Sequence, residues 1–248
     1  MFKLLRSVYK IFYIFLSLPK TIYFNLKYFP IDIALKLPVI IYNRVNLMQI
    51  NGSVIIEGPI KLGMIRIGIV ETRFFDKKLR SVWDVSGEVT FKGPAHICHG
   101  STLCVDGRLI LGKDFALNSQ NQIICKKLIS IGDDVMISWD TLIMDTDFHN
   151  ITIEGEVINP PQPIVIGDHV WVGCRCTIMK GTKIQDNTII AASSLLVKEY
   201  AVGNCIIGGT PAKVLKTGTE WDRRPQEYAD LLGRKARFTS LKRSNVRS

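Results

Sequence analysis

Residues 166–196 read Ile166-Gly-Asp-His-Val-Trp-Val172-Gly-Cys-Arg-Cys-Thr-Ile178-Met-Lys-Gly-Thr-Lys-Ile184-Gln-Asp-Asn-Thr-Ile-Ile190-Ala-Ala-Ser-Ser-Leu-Leu196. An aliphatic side chain returns at every sixth position: Ile166, Val172, Ile178, Ile184, Ile190 and Leu196. Four residues after each of the first five comes a short side chain, namely Val170, Cys176, Thr182, Thr188 and Ser194. A period of six is neither the 3.6 of a helix nor the 2.0 of an ordinary strand. It fits a chain wound as a triangular prism, in which each hexad supplies one short strand and one corner. The aliphatic residue fills the interior, and the short one sits where the wall turns. Stacked coils pair each strand with those above and below, leaving free edges only at the two ends.

The same beat runs upstream through Ile131, Ile137 and Ile143, with Val135 and Thr141 in the second position. Before that it runs through Leu111, Leu117 and Ile123, and through Phe91, Ile97 and Leu103. Offsets of two residues separate these blocks, from 103 to 111 and from 123 to 131. The repeat covers about residues 89–213, and weaker β-like segments over 49–69 add one or two irregular coils. The expected architecture is mainly β. Residues 49–215 form the prism, 1–48 a basic aromatic amphipathic extension, and 216–248 a basic tail, with helical structure expected at both ends.

The rhythm breaks between Ile143 and Ile166, and residues 144–165 are read as an active-site loop. The break holds Asp145-Thr-Asp147-Phe-His149-Asn150 and runs to Asn159-Pro-Pro-Gln-Pro163. A histidine beside carboxylates is a candidate general base, because a carboxylate fixes the tautomer and favours the imidazolium formed on proton transfer. Asp145 and Asp147 are the candidates for that orienting role. By position alone, a turn histidine without a task fits equally well.

Asp145-Thr-Asp-Phe-His149, followed by Ile166-Gly-Asp-His-Val-Trp-Val-Gly173 and by Ile207-Gly-Gly-Thr-Pro-Ala-Lys213, resembles the hexapeptide-repeat O-acetyltransferases. These include the galactoside and maltose enzymes and many that decorate capsule, O-antigen or exopolysaccharide sugars. The resemblance spans about residues 90–216 and implies a left-handed parallel β-helix, acetyl-CoA as acyl donor, and a sugar or glycan hydroxyl as acceptor. It puts the general base on His149 and the acceptor-site asparagine on Asn118. The family's CoA groove, between prisms of a homotrimer, falls by position on Cys174, Ala192, Val197, Lys198, Lys213 and Lys216. Cys174 stands where a serine is usual, Val197 where a threonine is, and Lys216 where an arginine is. Lys216 keeps the charge for a CoA phosphate but loses the bidentate fork. Two other readings remain: acyl transfer to the amine of an amino sugar or xenobiotic, and a non-catalytic β-helical scaffold.

Trp139 and Trp171 fall on outward positions, and Trp139, just before the loop, is assigned to the acceptor groove or the trimer interface. His96, Cys98 and His99 sit on one strand and corner and cannot all converge, so no metal is expected.

The composition excludes a mostly disordered chain: 47% of the 248 residues are apolar. The net charge of +10 raises the question of an anionic partner. Residues 1–48 carry seven Lys/Arg against one acid, Asp32, and residues 216–248 carry nine against four. The stretch between is close to neutral, with 16 basic and 17 acidic groups. A nucleic-acid-binding domain concentrates charge on its folded body, and no zinc-finger spacing or RNP-like motif is present, so no nucleic-acid partner is expected.

Residues 1–48 also hold ten of the 22 aromatics. Their longest apolar run, residues 11–16, is far short of the roughly 20 a span requires. Pro19-Lys20 stands where a signal peptide would want small residues. Two readings fit one helical period: an interfacial helix on an anionic membrane, and a helix packed on the protein's own core. With no export signal, the six cysteines read as reduced thiols and the protein as cytoplasmic, peripheral at the inner membrane face on the first of those readings.

Overall fold

The computed structural model describes residues 2–70 and 75–224, with side chains described from residue 15 onward. Over these residues the chain winds into a prism with three faces. The first face has nine strands, from Val39–Ile41 to Ala212–Thr217; the second and third have seven each. One full coil is Phe115–Leu117, Gln122–Cys125 and Leu128–Ile131, one strand per face. Strands within a face are parallel neighbours. Only the last strand, Ala212–Thr217, runs antiparallel, against Cys205–Gly209.

The six-residue beat is the beat of the interior. Ile97, Leu117, Ile137, Val172, Ile190 and Ile207 stand in register up the first face. None is more than 1% exposed. Burying an aliphatic side chain of this size contributes about 1.5–3 kcal/mol, so the column adds roughly 9–18 kcal/mol to the burial that drives folding. The short residues four positions on are also buried: Val170, Cys176, Thr182, Thr188 and Ser194 all face inward.

Two of the three corners place a residue in the left-handed region. At the first corner, between the first and second faces, these are Gln120, Asp140, Arg175 and Ser193; at the third they are Asp114, Asp134, His169 and Asn187. The buried polar side chain just after each first-corner turn satisfies backbone groups that the turn leaves open. Asn121 donates to the Ser138 carbonyl (2.5 Å) and accepts from the Thr141 amide (2.8 Å). Thr141 donates to Gly173 O, and Ser194 donates to Ala191 O. At the third corner an aspartate ladder does this work. Asp133 accepts from Lys113 N–H, Asp168 from Asp133 N–H and Asp186 from Asp168 N–H, at 2.7–2.8 Å.

The prism begins earlier than residue 49. Val39–Ile41 and Val45–Ile50 are the first strands of the first and second faces, so the β-helix takes in the end of the stretch read as an extension. The open edge of Val39–Ile41 is closed by the N-terminal helix, Phe2–Tyr28. Ser17 accepts from Asn43 N–H, and Thr21 accepts from Ile41 N–H and donates to Ile41 O. Asn25 accepts from Val39 N–H and donates to Val39 O. Four residues of helix rise about 6 Å and two residues of strand about 6.6 Å, so side chains at i, i+4 and i+8 meet alternate strand residues. An exposed sheet edge is an aggregation template; here it is paired by side chains. Phe24 and Tyr28 seal the end against Trp83, with ring centroids 5.2 and 6.2 Å away. Of the two readings of this helix, packing on the core therefore holds for one of its faces.

At the other end, residues 218–224 turn back along the third corner. Thr219 N–H bonds Asn204 O, Trp221 stacks on His169 at 4.5 Å, and Arg223 pairs with Asp134 at 2.8 Å. Trp171, 37% exposed, lies against this return, 6.1 Å from Trp221. Of the tail read as 216–248 with helical structure, residues 216 and 217 end the last strand and 218–224 form this return rather than a helix; 225–248 lie outside the described residues.

Candidate functional site

Coils early in the prism are wide. Ala95 pairs with Phe115 and Thr102 with Gln122, a spacing of twenty residues, whereas Trp171 pairs with Ile189, a spacing of eighteen. The wider coils turn through Asp106-Gly107 and Lys126-Lys127 at the second corner, between the second and third faces. The sequence insertion leaves the prism at this same corner. The strand Leu142–Met144 ends there, and the third face resumes at Ile164–Ile166. Between them the chain makes a small exposed hairpin, Thr152–Ile153 against Glu156–Val157.

Leaving the wall removes the next coil's carbonyls from above the turn at Lys126. Asp145 takes their place. Its carboxylate is fully buried and accepts from the amides of Lys126 (2.7 Å), Lys127 (2.7 Å) and Leu128 (2.8 Å). The orienting role expected of Asp145 is thus corrected: its oxygens are spent on three backbone donors, and it holds the turn rather than the His149 ring. Beside it, burial pushes the Cys125 thiol up to about 12, with the Asp145 charge adding to the effect.

Asp147 is likewise bonded to groups other than the His149 ring. Its Oδ2 lies 2.6 Å from Lys180 Nζ and accepts from Asn159 Nδ2 at 2.9 Å. Hydrogen bonds from Lys180 and then from Asn159 hold this carboxyl below the usual carboxylate range. The same Asn159 amide reaches the His149 carbonyl (2.9 Å), and Lys180 also donates to the Asn159 carbonyl (2.8 Å). Phe148, in the left-handed region, sets its ring 5.9 Å from Lys126 Nζ. The backbone at His149 is therefore pinned by Lys180, Asn159 and Lys126, three residues the sequence did not flag. Its side chain is exposed and makes no hydrogen bond among the described residues.

Asn118, Trp139, Cys174 and Ala192 gather at the first corner, in successive coils. Cys174 and Ala192 stack closely: Ser193 N–H bonds Cys174 O at 2.9 Å, and a Cβ on Gly173 would lie 2.7 Å from the Ala192 nitrogen. Trp139 is half-buried with the ring of Phe75 at 6.4 Å; Phe75 comes from the long connection between Ile65–Ile69 and Ser81–Val85. Val197 and Lys198 lie at the second corner and are exposed, as are Lys213 and Lys216 on the final strand. Within one chain, then, the Asn118 corner and the His149 loop lie at opposite edges of the second face and do not meet.

His96 and Cys98 lie on the strand Ala95–Cys98, while His99 is buried at the first corner with Nδ1 3.0 Å from Ser119 Oγ. No group of three or more metal-ligating side chains occurs among the described residues. All six cysteines are free.

Residues 163–198 match the family model described as bacterial transferase hexapeptide (six repeats). YvoF of Bacillus subtilis, whose own acetyltransferase assignment is provisional, is 31% identical over 127 residues, covering 50% of this chain and 69% of YvoF. The galactoside O-acetyltransferase of Escherichia coli is 28% identical over 133 residues, covering 52% of this chain; the match spans 61% of that enzyme's length. Among solved structures, the polysialic acid-specific acetyltransferase NeuO aligns over 75% of this chain and 84% of its own, with 22% identity and a TM-score of 0.48.

Proposed function

The chain belongs to the hexapeptide-repeat transferases, and on that premise we propose that it moves an acetyl group from acetyl-CoA to a hydroxyl of a sugar or glycan. The acceptor oxygen attacks the thioester carbonyl while its proton passes to the His149 ring. The tetrahedral intermediate collapses with cleavage of the C–S bond, and the departing CoA sulfur takes the proton from the imidazolium. Backbone amides facing the groove stabilise the oxyanion. The observation that carries this reading is the state of His149: its backbone is fixed by Asn159 and, through Asp147, by Lys180, while its ring is left open to solvent and substrate.

Asn118 and Trp139 bind the acceptor, and Cys174, Ala192, Val197, Lys198, Lys213 and Lys216 line the CoA groove. Because the first-corner column and the loop sit at opposite edges of one face, the complete site needs the corner of one copy beside the loop of the next. A homotrimer provides that arrangement three times, and light scattering tests the mass. The activity is tested by incubating the protein with acetyl-CoA and a panel of sugars, oligosaccharides and amino sugars. Thiol release reports turnover, and the acceptor's mass gain locates the acetyl group. A general base contributes roughly 10²–10⁴-fold, so His149→Ala abolishes measurable turnover and leaves CoA binding by calorimetry intact. Acetylation of amines but not hydroxyls would move the reading to N-transfer, and failure to bind CoA would move it to a scaffold.

A further inference from the structure

The N-terminal helix has two unlike faces. Ser17, Thr21, Phe24 and Asn25 are buried on the prism. Phe15, Leu18, Ile22 and Leu26, spaced three and four residues apart, form a second stripe that stays exposed, at 70%, 38%, 40% and 51%. Leu16 and Tyr23 extend it beside the helix and, with Met48, line an open hollow. Ile31 and Leu35, 61% and 73% exposed, continue the apolar surface past the helix end. Leu62 adds to this end of the prism, since the next residue, Gly63, bonds the Leu37 carbonyl. So large an apolar surface on one end of a molecule marks an interaction site.

Charge identifies the occupant. Residues 1–48 carry seven Lys/Arg and the single acid Asp32, so two copies of this end repel one another. An anionic lipid surface presents the opposite charge to the same residues and an apolar layer to the stripe. No helix among the described residues is long and apolar enough to cross a membrane. We infer that the stripe Phe15, Leu18, Ile22 and Leu26 is a docking face for an anionic bilayer, with the helix lying in the interface and the prism standing on its first coil. The His149 loop leaves the fifth coil, so at about 4.8 Å per coil it stands roughly 19 Å along the axis from the first, clear of the lipid.

The test is flotation of the full-length protein with phosphatidylcholine vesicles, with and without phosphatidylglycerol. Wild type should float with the anionic vesicles only, and high salt should release it. Replacing Leu18, Ile22 and Leu26 together by Gln removes three interfacial side chains and should reduce the bound fraction roughly tenfold or more. These side chains face solvent, so the fold should survive, and an unchanged melting temperature verifies it. Val202→Gln, at an exposed position near the opposite end, should bind as wild type. Equal binding by the triple variant and wild type, or no binding by wild type, would overturn the inference. So would a fall in oligomer mass on triple replacement, which would show that another copy of the chain covers the stripe.

Discussion

Replacing Asp145 should unfold the second corner before it affects chemistry. The side chain is 0% exposed and carries three charge-assisted bonds of 2.7–2.8 Å from Lys126, Lys127 and Leu128. In Asp145→Ala these amides lose their acceptor at the level where the chain leaves the wall and no strand carbonyl can replace it. Each buried unsatisfied donor costs about 1–3 kcal/mol, and water entering the vacated space returns part of that, so a loss of about 4 kcal/mol is expected. Asp145→Asn is the sharper variant. It preserves shape, but Oδ1 accepts one of the amides and Oδ2 the other two, so the new NH2 must face at least one N–H. About 2 kcal/mol should be lost. For a chain of this length, one kcal/mol moves the melting temperature by about 2–4 °C, giving a drop of roughly 8–16 °C for Ala and half that for Asn. Differential scanning calorimetry reads both. If Asp145→Asn melted within about 2 °C of wild type while turnover collapsed, the carboxylate would be serving His149 and the structural assignment would fail.

Lys180→Met should loosen the loop without disturbing the prism, raising hydrogen exchange at residues 147–159 and lowering turnover while the melting temperature holds. In wild type, the folded Asp147 pKa lies below its unfolded value because Lys180 and Asn159 bond its charged form. Its contribution is therefore complete above the ordinary carboxylate range and is lost as the pH falls through the depressed folded value. Loop protection should fade on acidification in wild type and show little pH dependence in Lys180→Met. Thr21→Val removes both bonds to Ile41, at 3.0 and 3.1 Å, and should cost about 2 kcal/mol by thermal unfolding; an unchanged midpoint would show that the helix does not close the edge. Gly173→Ala puts a methyl 2.7 Å from the Ala192 nitrogen and 2.8 Å from the Ile190 carbonyl, which should destabilise by about 1–3 kcal/mol and weaken CoA binding through the neighbouring Cys174.

The prism was legible because its physics is periodic. Each aliphatic residue of the repeat needs only its own spacing to declare that it points inward, and Ile97 through Leu196 do so. The first coils were faint for the same reason reversed. There the connections 57–64 and 70–80 break the spacing, and Trp83 and the N-terminal helix fill the interior in place of a regular aliphatic. The site was half legible. His149 stood out as a histidine in a break. Asp145 and Asp147 looked like its partners because they are neighbours in sequence, but a loop leaving a coil turns successive side chains in different directions. One meets the turn of the previous coil and the other Lys180 in the next. Lys180 and Asn159 carried no signal beyond being polar, since their importance comes from meeting across 21 residues.

One corner governs these outcomes. In the regular twenty-residue coils the two residues beyond eighteen fall at the second corner, where inward positions such as Ile123 and Ile131 are eight apart rather than six, so an inserted segment can leave there with the least disturbance to the hydrogen-bonded faces. The cost is a set of unpaired amides at Lys126, Lys127 and Leu128, and a single buried carboxylate at the root of the insertion offsets it. With that root closed, Lys126 below, Lys180 above and Asn159 within the loop hold His149 out from the prism. The interior column at Ile123, Ile143 and Ile178 then passes beneath the break with its register intact. A rigid wall and a projecting histidine are thus compatible because the hexad repeat resumes its interior register where the loop rejoins at Ile164, and a variant that shortens the loop should leave the prism folded while abolishing the proposed acetyl transfer.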